Sequence, residues 1–236
     1  MNNEEVVKTD CVTELTPGFR NAVRQQTSLL APLERACLSW FVQGMPASIK
    51  PDHLTLLGFG AMLAAGVSYG LSKRWPVFLL IVNLCLAINW FGDSLDGTLA
   101  RARNKQRPRY GFYVDHIIDA FGILAVLCGL ALSGLMTWTI ALAVLVVYFM
   151  ISIDVYLATY TIGTFRISFY KISPTELRLL LAIGNVWAMS HRTTTAFGDR
   201  YLFFDVGAVL AISVMSIILV ASVIRNTIIL YRAERV

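Results

Sequence analysis

Charge is scarce in this chain. Of 236 residues only 15% are Asp, Glu, Lys or Arg, while 56% are hydrophobic, which is too apolar for an ordinary water-soluble domain. Cysteine is scarce too. Cys11, Cys37, Cys85 and Cys128 are scattered without a Cys-x-x-Cys pair, so neither a disulfide scaffold nor a zinc site is expected. The first 28 residues are polar and mixed in charge and do not read as a cleavable signal peptide. No basic domain or aromatic platform is present, so a nucleic-acid partner is not expected despite the net charge of +5.

What the chain has instead is uncharged runs of membrane length. Leu54–Leu71 and Trp75–Gly92 have 18 residues each and Val206–Ile224 has 19. Ala120–Ile153 has 34 and carries Ser133-Gly134 near its middle as a turn, so it reads as two spans. Pro174 to about Ser190 is a sixth, with Glu176 and Arg178 in its first turns. The predicted fold is therefore an all-α integral membrane protein with six transmembrane helices over 51–236. Ahead of them, residues 1–28 read as a mobile tail, and 29–50 as an amphipathic juxtamembrane helix with its linker. In that helix Leu29, Leu30, Leu33, Cys37, Trp40 and Phe41 share one face.

With the N-terminus inside, only Lys73, Arg74, Arg192 and Arg200 of the 20 basic residues fall outside. That bias predicts both termini in the cytosol. The protein then reads as a multi-pass protein of a bacterial inner membrane, in contact with membrane lipids.

Four aspartates stand where two spans meet on the cytosolic side. Asp93 and Asp96 end one and Asp115 and Asp119 begin the next. Spacings of i,i+3 and i,i+4 put each pair on one helix face. Such a cluster needs neutralising, and divalent cations with oxygen ligands suit it. Gly97, Ala100 and Gly111 leave room for a ligand or a helix close to the backbone.

The stretch from Asp93 to Asp119 reads Asp-x2-Asp-Gly-x2-Ala-Arg-x9-Gly-x3-Asp-x3-Asp. It resembles the signature of the CDP-alcohol phosphotransferases, membrane enzymes of phospholipid synthesis, with a slightly longer spacer between Arg101 and Gly111. The resemblance implies that Asp93, Asp96 and Asp115 hold two divalent cations, Mg²⁺ or Mn²⁺, that Asp119 completes the site and acts as general base, and that the active site faces the cytosol. It further implies that Gly97, Ala100, Arg101 and Gly111 shape a pocket for the CDP moiety of a lipid donor, and that the protein is a homodimer. Pro51-Asp52-His53-Leu54-Thr55 is similar to the family's Pro-Asn-x-x-Thr, with Thr55 matching. Asp52 replaces the Asn, keeping an acceptor oxygen but losing the amide donors.

The reaction implied is transfer of a substituted phosphate from CDP-diacylglycerol to an alcohol acceptor, with release of CMP. A CDP-choline or CDP-ethanolamine type of transfer to diacylglycerol is the alternative within the family. From other classes, a cation transporter would want broken spans and mid-membrane acids, and a silent scaffold would not need the complete motif. Asp154, Arg166, Lys171, Glu176 and Arg178 are the charged residues expected around an acceptor pocket. The fourth span itself carries no Lys or Arg, which weighs against a phosphorylated acceptor. Ser173-Pro174-Thr175-Glu176 also reads as a helix capping box. His116 reads as a helix-surface residue, and Arg103, Lys105, Arg107 and Arg109 as orienting, lipid-facing charge.

Overall fold

The computed structural model describes residues 31–162, 174–196 and 198–234. Helix α1 (Ala31–Gly44) precedes α2 (Pro51–Ser72), α3 (Phe78–Ala102), α4 (Pro108–Ser133) and α5 (Trp138–Ile162). Then come α6 (Pro174–Ser190), strands β1 (Thr193–Ala196) and β2 (Asp199–Leu202), and α7 (Phe203–Ala233). The expected tail over 1–28, together with Leu29, Leu30, Arg166 and Lys171, lies outside the described residues.

Sequence explains the helix boundaries. Pro51 and Pro108 open α2 and α4, where a missing N–H costs nothing and the fixed φ suits a helix. Gly134 ends α4 at φ 72°, a left-handed cap that glycine adopts without strain. The 34-residue apolar run is thus divided at Ser133-Gly134, as its turn signal predicts. Across the following turn, Asp205 of α7 accepts hydrogen bonds from the Thr137 backbone N–H at 2.7 Å and its hydroxyl at 2.5 Å, capping the start of α5.

Five helices, α2, α3, α4, α5 and α7, are long and apolar enough to cross a membrane. The 17 residues of α6 reach roughly 25 Å, short of a hydrocarbon layer of about 30 Å. Beside the apolar packing of Leu181, Ala188 and Met189, polar bonds seat α6. Buried Tyr69 of α2 donates to Asn185 Oδ1 at 2.8 Å, Asn185 Nδ2 donates to Asn83 Oδ1 of α3 at 2.8 Å, and Asn83 donates to the Ala182 carbonyl at 3.1 Å. Between α2 and α4 the backbones touch at Gly66 and Gly129, where a Cβ on either residue would collide with the other helix's backbone. This is close approach by small residues, a standard substitute for hydrophobic drive within a bilayer.

Helix α1 turns one edge of its expected apolar face, at Phe41, to the bundle, together with Leu38. Leu38 is buried with Leu54, Leu95 and Leu99, and Phe41 packs edge-on against Phe91 at 5.2 Å. Trp40 points away and is 69% exposed. Leu38 and Phe41 lie one turn apart, and this pair, not the Cys37–Trp40 side, meets the bundle. Arg103 fixes the linker behind α1 by donating to the carbonyls of Met45 at 3.0 Å and Pro46 at 2.9 Å, and to that of Ile49. It therefore has a structural job beside any orienting one. The antiparallel hairpin β1–β2, paired from Thr193↔Leu202 to Ala196↔Asp199, joins α6 to α7 and has no counterpart in the sequence reading.

Candidate active site

Helices α3 and α4 both pack on α2, which brings their four aspartates together around one pocket. Asp93, Asp96, Asp115 and Asp119 line one small inner pocket with Thr55, Gly58 and Asn89. Above it opens a cleft of about 710 Å³, within the usual range for a ligand site. Thr55, Gly97, Ala100, Arg101 and Gly111 all line that cleft, with Asp93, Asp96 and Asp115 at its floor. Every donor-pocket residue expected from the sequence is thus found on one surface.

Each acid has its own surroundings. The Thr55 hydroxyl donates to Asp96 Oδ2 at 2.6 Å, and the Gly97 backbone N–H donates to Asp96 Oδ1. Arg178, reaching down from α6, donates to Asp93 Oδ2 at 2.6 Å, with both side chains mostly covered. Asp119 stands one turn beyond Asp115 on α4 and lines the inner pocket. Arg101 lies across Gly97, where a Cβ would stand 3.4 Å from its Nη1, and it donates to Thr98 Oγ1 at 3.1 Å. The glycine leaves that surface flat enough for the guanidinium to rest on it.

Oxygen-only donors in two facing pairs fit a hard divalent cation. In the described conformation no three of these acids already converge on one point. Asp93 is held by Arg178 and Asp96 by Thr55. A guanidinium therefore supplies part of the positive charge that the cluster demands.

The expected acceptor residues divide. Arg178 belongs to the acid cluster through Asp93, and Glu176, two residues earlier on α6, is half-buried. Asp154 is not in the cleft lining. It accepts from Ser222 Oγ at 2.6 Å and from Asn226 Nδ2 at 3.4 Å, clasping α5 to α7. Two positions read separately in the sequence also prove to be partners. Asp52 forms an ion pair with Arg107, whose guanidinium lies 4.1 Å from the centre of the Tyr110 ring, and all three line the cleft mouth with Lys105. His116 packs on Phe112 at 4.1 Å and bonds its carbonyl through Nδ1 at 2.6 Å, while also lining the cleft.

With this geometry in view, comparison with known proteins is decisive. Residues 49–224 match the CDP-alcohol phosphatidyltransferase family. The chain belongs to that family. Among its relatives, an archaetidylinositol phosphate synthase of Pyrococcus horikoshii is 34% identical over 104 residues, covering 44% of this chain and 52% of the relative. A CDP-diacylglycerol–serine O-phosphatidyltransferase of Encephalitozoon cuniculi is 28% identical over 179 residues, 71% of this chain and 44% of the relative. A phosphatidylinositol phosphate synthase of Cutibacterium acnes is 32% identical over 87 residues, 36% of this chain and 39% of the relative. The chain thus spans about half, or less, of the length of the curated relatives it matches. The family match takes in the whole acid cluster, the cleft and α6.

Removing the guanidinium should expose the charge problem. Arg178→Met is expected to lower stability in EDTA by about 1–3 kcal/mol, since it strands a mostly covered carboxylate. Magnesium should then restore more stability to the variant than to the wild type. Thermal unfolding in detergent with and without the ion checks this, and equal magnesium increments in both proteins would contradict it.

Proposed function

We propose that the chain is a metal-dependent transferase that moves a phosphatidyl-type group from CDP-diacylglycerol to an alcohol acceptor and releases CMP. The observation that carries this reading is that two acid pairs line one small pocket beside a cleft lined by the rest of the motif. The donor assignment draws on the printed name of the Encephalitozoon cuniculi relative, which specifies CDP-diacylglycerol. The relatives differ in acceptor, two being named for inositol phosphate lipids and one for serine.

In this reading Asp93, Asp96, Asp115 and Asp119 hold two divalent cations, Mg²⁺ or Mn²⁺. When bound there, the ions screen the pyrophosphate and polarise the phosphoryl group. The chain's own residues do the rest. Thr55 fixes the Asp96 carboxylate, while Gly97, Ala100 and Gly111 admit the CDP moiety close to the helix backbones. Arg101 contributes positive charge beside it. Asp119 takes the proton from the acceptor hydroxyl, whose oxygen bonds to the lipid-bearing phosphorus as the bond to CMP breaks. A single in-line displacement suffices, with no covalent enzyme intermediate.

The proposal includes α6 as a sixth span, set in the bundle by its asparagine network, and it places both termini and the cleft on the cytosolic side by the bias of basic residues. A homodimer belongs to the same proposal and rests on the family alone.

Two experiments test it. The purified protein should release CMP from CDP-diacylglycerol, but not from CDP-choline, when given serine, myo-inositol, myo-inositol 1-phosphate or glycerol 3-phosphate. EDTA should abolish release and magnesium or manganese restore it. Within this assay Asp119→Asn should cut turnover at least ~100-fold, the scale of a lost general base, while retaining donor binding. Asp93→Asn or Asp115→Asn should weaken metal and donor binding as well. Near-normal turnover in Asp119→Asn would remove it as the base.

For orientation, Lys105→Cys should stay protected from impermeant thiol reagents in intact cells, and Arg200→Cys should be labelled. The reverse pattern would turn the cleft outward.

A further inference from the structure

Helix α5 presents two polar faces in a span of mean hydropathy 2.4. Asp154 occupies one and is spent on α7. At about 100° per residue, Tyr148, Ser152, Tyr156 and Thr159 gather on the other side, with Asp154 roughly opposite Ser152 and Tyr156.

This second face looks toward α4 and the acids. The Tyr156 ring meets His116 edge-on at 5.1 Å and Phe112 at 6.3 Å, and Thr159 lines the cleft beside Asp115 and His116. The charges of Asp115 and Asp119 act on both tyrosine hydroxyls. All four residues are half-buried.

The chemistry of the row is mixed. Ser152 and Thr159 donate their protons to the carbonyls of Tyr148 at 2.9 Å and Val155 at 2.7 Å, leaving hydroxyl oxygens that can still accept. The tyrosines bring O–H donors. Among the described residues these bonds stay within α5, so the row does not fasten α5 to α4 as Asp154 fastens it to α7. A row of hydroxyls on the face of α5 that carries Thr159 at the cleft and Tyr156 on His116 suits a ligand that itself alternates donors and acceptors along a carbon frame.

Resting on the transferase reading above, we propose that Tyr148, Ser152, Tyr156 and Thr159 form the acceptor wall, and that the acceptor class they select is a small polyhydroxy alcohol. The wall holds the acceptor by its non-reacting hydroxyls and turns one hydroxyl toward Asp119. Asp154 takes no part.

The test separates acceptor from donor. Tyr148→Phe, Tyr156→Phe and Ser152→Ala should each raise the KM for a polyol acceptor about five- to tenfold, the size of one lost neutral hydrogen bond. The KM for CDP-diacylglycerol should stay at its wild-type value. Thr161→Val removes a hydroxyl from the opposite side of the same helix and should change neither constant. Myo-inositol and myo-inositol 1-phosphate are the polyol probes, and serine is the contrasting acceptor. Unchanged acceptor KM in the three variants, or donor KM rising in parallel, overturns the wall. So does a wild-type preference for serine over both polyols. Absence of CMP release with every acceptor refutes the transferase reading instead. Equilibrium binding of tritiated myo-inositol to wild type and Tyr156→Phe then decides the wall alone. Loss of binding only in the variant supports it, and equal binding, or none to either, overturns it.

Discussion

Four carboxylates gathered at one edge of a bilayer cannot remain there uncompensated. Their mutual repulsion and the cost of removing them from water both have to be met by positive charge. The architecture around them answers that demand. Helices α3 and α4 both pack on α2 so that the i,i+3 and i,i+4 pairs reach one pocket, and close glycine contacts, Gly92 on Gly58 and Gly129 on Gly66, hold the two helices against α2. Arg178 reaches the cluster from α6, and α6 is itself held by the Tyr69–Asn185–Asn83 network. The short helix is thus placed by polar bonds in the bundle so that one of its side chains can meet the acids.

The cleft mouth shows the same economy with charge. Asp52, an acid where the family tends to carry an amide, is answered by Arg107 from the lengthened loop. Helix α5 then divides its polar groups by face, Asp154 toward α7 and the hydroxyl row toward the acids. The span can so be anchored on one side and face the site on the other.

Much of this was legible in the sequence because it rests on local spacing. The aspartate pairs, the cleft glycines, the apolar runs and the Ser133-Gly134 break all depend on periods of three to four residues or on runs of uncharged ones. What was not legible depends on chain segments far apart. Arg178 and Asp93 are 85 residues apart and Arg107 and Asp52 are 55 apart, so nothing local marks them as partners. The bonds of Asp154 to Ser222 and Asn226 cross 68 and 72 residues and are equally silent in the local pattern. The β1–β2 hairpin escaped notice because four-residue strands of Thr and Tyr leave no pattern long enough to read.

The central claim is that the aspartate cluster exists to hold a pair of divalent ions between α3 and α4. The most direct measurement is electron paramagnetic resonance of the purified protein titrated with Mn²⁺. Two ions per chain with the signature of magnetic coupling, lost together in Asp96→Asn, is the predicted result. A single uncoupled ion at saturation, or no bound manganese, would contradict the account.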